Sequence, residues 1–281
     1  MPTSALARRR SCSCARNSSS ANSATFTSCG SPGPCAPRRT FHSGQNVGRQ
    51  VGWRAEVNHS LALTPRLVKL ADHLFALGAV KFGAFKLKKH EREPDAPLSP
   101  YFFNLRTPEN PKPGPLDPEI VGTIAEEIFE LLRNADVYFD FVAPVPNAGA
   151  PIGAALAAHS ETEVIPLLKR EQGGKRRVTG IVDGFEVREG APTVVIDDLV
   201  TEADSKLETI DVLRGAGLEV AHVAVLIDRE QGGRSELARA GCTLHAVFTV
   251  RELLDYYYAT NAIDATKYEE AIAYLAAERA A

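Results

Sequence analysis

Pro192-Thr193-Val194-Val195-Ile196-Asp197-Asp198-Leu199-Val200-Thr201 is the stretch on which the reading of the fold turns. A short apolar run rich in β-branched residues, Pro192 to Ile196, runs straight into two adjacent acids. Such a run reads as a buried strand that ends in a polar loop, here Asp197 to Thr201. Beyond it a helix is predicted from about Ser205 to Ala216, stopped by Gly217. Val220 to Ile227 is the next apolar run, and it too ends in charge, at Asp228-Arg229. Strand, loop, helix and strand in this order make the βαβ unit of a parallel sheet.

Working outward, the alternation continues. Leu237 to Ala240 lies on a helix, Leu244 to Thr249 reads as a strand, and a helical region closes the chain. Upstream, Leu67, Leu70, Leu74 and Leu77 recur at helical spacing before Gly78. Phe82 to Leu87 and Tyr101 to Leu105 read as short strands, and Pro108 to Pro118 as a proline-rich loop. Asp117 caps a helix whose apolar face is Ile120, Ile124, Ile128 and Leu131, with Pro118 in its first turn. Phe139 to Pro144 is a buried strand, Ile152 to Ala158 a small-residue helix, and Glu163 to Leu168 a further strand. The expected class is α/β, a parallel sheet with helices on both faces. Ligands of such sheets sit beyond the carboxyl ends of the strands, where both acid-bearing ends lie.

The chain has 281 residues, enough for one large domain or two small ones, and its net charge of −3 gives no global pull toward nucleic acid or an anionic membrane. No apolar run approaches the ~20 residues of a membrane helix. Residues 1 to 60 differ in composition from 61 to 281. Eight arginines precede the first acid, Glu56, and Ser, Gly and Pro abound. A segment without apolar periodicity cannot offset its ordering entropy, so a disordered extension is expected. It is open to three explanations: a misplaced start, an organelle transit peptide, or a basic binding arm. Met1 is the only methionine, so a later start would need another codon, such as that of Val51 or Val57. Four of the five cysteines, Cys12, Cys14, Cys29 and Cys35, fall in the extension and none is spaced as a zinc knuckle. A reduced, cytoplasmic setting is expected, with a plastid or mitochondrion as the alternative if the extension is a transit peptide.

Two neighbouring carboxylates after a buried strand repel each other unless solvated, hydrogen-bonded or near cations. They suit sugar hydroxyls or a magnesium-bound polyphosphate; they also suit a polar strand end over a helix. The whole string Val194 to Thr201 resembles the phosphoribosyl-diphosphate (PRPP) signature of the type I phosphoribosyltransferases. Phe82-Gly83-Ala84-Phe85-Lys86-Leu87-Lys88, followed by Ser99-Pro100-Tyr101-Phe102-Phe103-Asn104-Leu105-Arg106, is similar to the N-terminal hood of the orotate branch. Leu226-Ile227-Asp228-Arg229-Glu230-Gln231-Gly232-Gly233 and Leu244 to Val247 resemble the orotate domain of UMP synthases. The resemblance runs from about Leu63 to Ile263.

What the resemblance implies is specific. The fold would be that of type I phosphoribosyltransferases with a small hood. The reaction would carry phosphoribosyl from PRPP to orotate, in pyrimidine biosynthesis. Asp197 and Asp198 would hold the ribose hydroxyls. The turn Thr201-Glu202-Ala203-Asp204-Ser205 would cradle the 5′-phosphate at a helix N-terminus. Val145 and Pro146 would line the pyrophosphate, and Lys88 would contact PRPP. Lys169, Arg170 and Lys175, from a glycine-hinged basic loop shorter than the family's, would reach the pyrophosphate. Phe102 and Phe103 would pack beside the pyrimidine, and Arg229 would pair with the orotate carboxylate. Read without the resemblance, the two phenylalanines suit a core and Arg229 a surface ion pair. Mg²⁺ would be bound mainly through PRPP, with Asp197 and Asp198 as possible direct contacts. A homodimer is implied as well.

The phosphate turn departs from the family pattern of Thr, small residue, Gly, then Ser or Thr. Ala203 stands where a glycine allows positive φ. Glu202 and Asp204 set negative charge beside a dianion; at ~5 Å and an effective dielectric of ~20 each unit pair costs about 3 kcal/mol. Lys206 is expected to compensate in part, or the two acids to turn outward and cap the next helix. The turn leaves two other functions open: a catalytically impaired or regulatory protein that binds pyrimidines or nucleotides, and a transferase with another acceptor or donor.

Overall fold

A computed structural model describes residues 63–91 and 93–280. The readings of residues 1 to 60 lie outside the described residues, and those described belong to one compact unit, Val57–Ala281. Among the described residues no helix is long and apolar enough to cross a membrane.

Five strands form a parallel sheet: β3 (Phe141–Pro144), β4 (Glu163–Val164), β7 (Pro192–Val200), β8 (Glu219–Asp228) and β9 (Thr243–Thr249). Their spatial order is β4-β3-β7-β8-β9, so the winding direction reverses between β3 and β7. That reversal opens a crevice at the carboxyl ends of these two strands. Side chains alternate between two cores. Val142, Val194, Ile196, Ala224, Leu226 and Phe248 face the core shared with α2 (Pro118–Asn134) and α3 (Gly149–Ser160). Ala143, Val195, Val223, Val225 and Leu244 face the core shared with α4 (Asp204–Gly215) and α5 (Gly233–Arg239). Burial on both faces explains why these strands read as continuous apolar runs.

The helices start where the sequence places their caps. Asp117 Oδ1 accepts the Ile120 N–H at 2.9 Å, and Pro118 opens α2. The N-terminal helix α1 (Pro65–Ala76) ends before Gly78, whose φ of +67° suits glycine. The hood is an antiparallel pair, β1 (Val80–Phe85) and β2 (Ser99–Phe103), with a one-turn 3-10 helix between them, Lys88–Glu91. It packs against the C-terminal helix α7 (Ala265–Ala280), where the Tyr101 and Tyr274 rings meet at 5.8 Å, while Tyr257 of α6 (Val250–Ala259) reaches the same core against α1.

Three details correct the sequence reading. Strand β7 does not stop at Ile196. It continues through both acids to Val200, because Asp197, Leu199 and Val200 stay in register with Val225, Ile227 and Asp228. The single strand expected over Glu163 to Leu168 is broken at Ile165-Pro166, giving β4 and then β5 (Leu167–Gln172). The basic loop is a β-hairpin: β5 pairs with β6 (Lys175–Ile181) across Gly173-Gly174. Both glycines have positive φ, +60° and +74°, as a two-residue type I′ turn requires.

Candidate active site

Asp197 and Asp198 sit at the crevice and are both buried. Asp197 is fully engaged. Its Oδ1 accepts the Asp198 N–H at 2.9 Å, and its Oδ2 lies 2.5 Å from the Lys206 ammonium. Lys206 is itself buried and also donates to the Leu199 carbonyl. Asp198 accepts the Leu199 N–H at 2.8 Å and lies against the Asp197 carboxylate. Burial first, and the neighbouring Asp197 second, push the Asp198 carboxyl up to about 7; Lys206 and the Leu199 N–H pull the other way. The pair is thus asymmetric, one acid locked and one with oxygen lone pairs to spare.

The expected compensation by Lys206 is corrected here: its charge is spent beneath Asp197 and not on the phosphate turn. Glu202 and Asp204 are exposed, while Thr201 and Ser205 are half-buried. Neither acid caps α4. The N-cap is Ala203, which makes no side-chain cap bond and holds φ +70°. The turn therefore keeps a left-handed backbone with an alanine methyl in place, at a cost of roughly 1–2 kcal/mol.

Val145 and Pro146 follow β3 across the crevice. Val145 N–H donates to the Ile196 carbonyl at 2.8 Å, and the Pro146–Asn147 peptide is cis. Lys169 on β5 donates to the Pro146 carbonyl at 2.8 Å, which ties the hairpin to this loop. Arg170 is exposed on the same strand, cross-strand from Arg177. Arg177 lies 3.6 Å from Glu208 of α4, so the hairpin also leans on the helix that follows the phosphate turn. Lys175 opens β6 beside the glycine turn, and Lys88 opens the hood's 3-10 turn. Gly149 lets α3 start against the acids, since a Cβ there would meet the Ile196 carbonyl at 2.6 Å and Asp197 Oδ1 at 3.1 Å.

Arg229 is brought to the same end of the sheet by its N–H bond to the Val200 carbonyl, 3.0 Å. Its guanidinium is buried over the Tyr101 ring, 5.4 Å from Cζ to centroid. Among the described residues Nε and Nη2 make no hydrogen bond of good geometry, and the polar group near them is the Tyr101 hydroxyl, likewise unpaired. This excludes the surface-ion-pair reading of Arg229. Phe102 and Phe103 cannot both flank one ligand, because adjacent strand residues point to opposite faces. Phe103 is buried in the core beside Tyr101, whereas Phe102 is half-buried on the other face, 5.6 Å from the Phe85 ring. The expectation for Phe103 is corrected to core packing. Tyr101 and Gly149 were missed as site residues, and Lys206 was expected at the phosphate turn and not beneath Asp197. For Tyr101 the signal was present: it shares Phe103's parity on β2, the parity that packs inward.

A parallel sheet reversing beside two strand-end acids, with a turn and helix beyond them, defines a ligand crevice at the carboxyl ends of the strands. Residues 116–255 match the phosphoribosyl transferase domain. Among curated proteins, UMP synthase of Bos taurus is 34% identical over 194 residues, 67% of this chain and 36% of that protein. Orotate phosphoribosyltransferase of Pyrobaculum islandicum is 31% identical over 209 residues, 74% of this chain and 98% of that protein. Among solved structures, UMP synthase of Leishmania donovani superposes with a TM-score of 0.60 at 31% identity, covering 74% of this chain and 42% of that one. Orotate phosphoribosyltransferase of Aeropyrum pernix gives 0.54 at 27% identity, covering 66% and 96%. The chain belongs to the type I phosphoribosyltransferase family, in its orotate phosphoribosyltransferase branch. It spans about two fifths or less of the UMP synthases it matches, and nearly the whole length of the Pyrobaculum islandicum relative.

Proposed function

We propose that the protein transfers the phosphoribosyl group of PRPP to orotate, giving orotidine 5′-phosphate and pyrophosphate. One observation carries the acceptor: Arg229 is buried, and among the described residues Nε and Nη2, the two nitrogens on one edge of its guanidinium, have no well-formed hydrogen bond. A carboxylate takes that edge with two parallel hydrogen bonds. Leaving two buried donors unmet is costly, so the site suits an anionic planar acceptor such as orotate.

On this reading Asp198 accepts from the ribose hydroxyls while Lys206 pairs with Asp197 beside it. The Val145-Pro146 loop lines the pyrophosphate side, with Lys169 bound to it and Arg170 and Lys175 on the same hairpin. Phe102 packs near the base. The spare oxygen of Asp198 fits a magnesium ion delivered on the donor, which when bound supplies charge neutralisation for the leaving pyrophosphate. The chain's own contribution is then positioning and electrostatic stabilisation of an oxocarbenium-like sugar. A homodimer and a cytoplasmic location belong to the same reading.

The test is orotate-dependent consumption of PRPP by the full chain with magnesium. Formation of orotidine 5′-phosphate supports the proposal. A folded protein that binds orotate without turnover would overturn it. That outcome would favour the one other reading the exposed Glu202 and Asp204 support, a site that has given up a 5′-phosphorylated donor.

A further inference from the structure

Three consecutive residues after β8 are each held by an element far away in sequence. Arg229 lies over Tyr101 of the hood. Glu230 takes the Arg279 guanidinium of α7 and the Arg251 N–H of α6. Gln231 donates through Nε2 to Glu278 Oε2 at 2.6 Å. The other carboxylate oxygen of Glu278 accepts the Lys89 ammonium, from the hood's 3-10 turn. Lys89 in turn lies 5.0 Å over the Tyr274 ring, and Tyr274 meets Tyr101 edge-on at 5.8 Å. Glu278, in the last turn of α7, therefore ties the hood to the loop that carries Arg229. The Lys89–Glu278 pair is mostly shielded, with side-chain exposures of 21% and 18%. Arg229 Nε and Nη2 lie below the solvent-accessible surface, beside a ring supplied by the hood. The hood ring thus lies on the guanidinium that the acceptor reading assigns to a carboxylate.

We propose that Glu278 is a positioning residue, a latch that closes the hood over Arg229 and so sets the affinity for the acceptor base. The inference rests on the acceptor reading above. It concerns residues 189 and 47 positions apart in sequence, joined at one carboxylate. Glu278 touches neither the Val145-Pro146 loop nor the two acids, and it meets Lys88, the expected PRPP contact, only through the neighbouring Lys89, so its loss should act more on the base than on PRPP.

The test uses Glu278→Ala and the charge-reversed double variant Lys89→Glu with Glu278→Lys. In the double variant the new lysine can donate both to the new carboxylate and to a flipped Gln231 amide. Hydrogen exchange of residues 88–91 and 229–232 is measured without ligand, alongside steady-state KM values. Glu278→Ala should exchange faster in both segments and raise KM for orotate about five-fold, the upper end for one ion pair that still meets solvent, with kcat and KM for PRPP changed less. The double variant should recover both readouts. Unchanged exchange in Glu278→Ala would overturn the latch, as would equal shifts in the two KM values or a double variant as open as the single one. Absence of orotate turnover in the unsubstituted protein would count against the function alone, since the exchange comparison still decides the latch.

Discussion

Lys206 Nζ lies 2.5 Å from Asp197 Oδ2, and both side chains are only 6% exposed. The pair carries the site's one asymmetry, since Asp197 is neutralised from below while Asp198 is left to the crevice. Removing one partner strands a buried charge, which costs about 3–5 kcal/mol. Lys206→Met should therefore lower the urea midpoint sharply. Lys206→Met combined with Asp197→Asn should recover most of that loss, because no lone charge remains. If the single and double variants unfold at the same midpoint, the ion pair is not what stabilises this strand end.

The phosphate turn makes an opposite statement about charge. Glu202 and Asp204 are exposed, so their repulsion toward a donor dianion is screened by water and salt. Replacing both with serine should lower KM for PRPP by about three- to ten-fold at low ionic strength, and by less at high salt. Ala203→Gly should add to this effect, since its φ of +70° is one that glycine adopts without strain. Initial rates over a PRPP series at two salt concentrations check both. A rise in KM would mean the acids hold the turn in its binding shape.

Arg229 provides the sharpest split between the two substrates. Arg229→Ala should lower kcat/KM for orotate by more than about 100-fold, the scale expected when a buried charged contact to substrate is lost. PRPP binding, followed by calorimetry, should change little. Arg229→Lys should rescue poorly, because an ammonium cannot offer two parallel donors to a carboxylate. Equal losses for both substrates would place Arg229 in the fold and not in the acceptor pocket.

How much of this could be read in the sequence depends on how local the signal is. The strands of the parallel sheet were legible because both faces are buried, so Val194 to Ile196 and Val223 to Ile227 are unbroken apolar runs. Asp117-Pro118 announced α2 because capping is a four-residue event. The length of β7 was not legible. Acids read as loop, and only the register with β8 shows that Asp197 and Asp198 still lie in a strand. The same holds for Lys206. Its distance from the acids along the chain suggests a phosphate contact, but the left-handed turn at Ala203 sends it back under the sheet end. Glu278 had no local signal at all, since its two partners come from the hood and from the loop after β8. The alternation rule did contain the correction to Phe103, since it separates the faces of Phe102 and Phe103 on any strand.

The histidines of the sheet yield a prediction about stability and pH. His222 Nδ1 and His245 Nε2 face each other at 3.1 Å, on neighbouring strands β8 and β9. Burial holds both below the ordinary value of 6.5; for His245 the neighbouring His222 and Arg234 push the same way, while Glu219 partly opposes the shift at His222. A neutral pair shares one proton between the two nitrogens, whereas two imidazolium rings would repel. Because the folded-state values lie below the unfolded one, the unfolded chain binds more protons as pH falls under 6.5. The stability contributed by the pair is thus complete above that pH, and it is lost as pH falls from 6.5 toward the depressed folded values. Urea unfolding at about pH 7.5 and about pH 5.5 should show a larger drop for the unsubstituted protein than for His222→Gln with His245→Gln, which cannot titrate. Equal drops in the two proteins would show that other groups set the acid sensitivity.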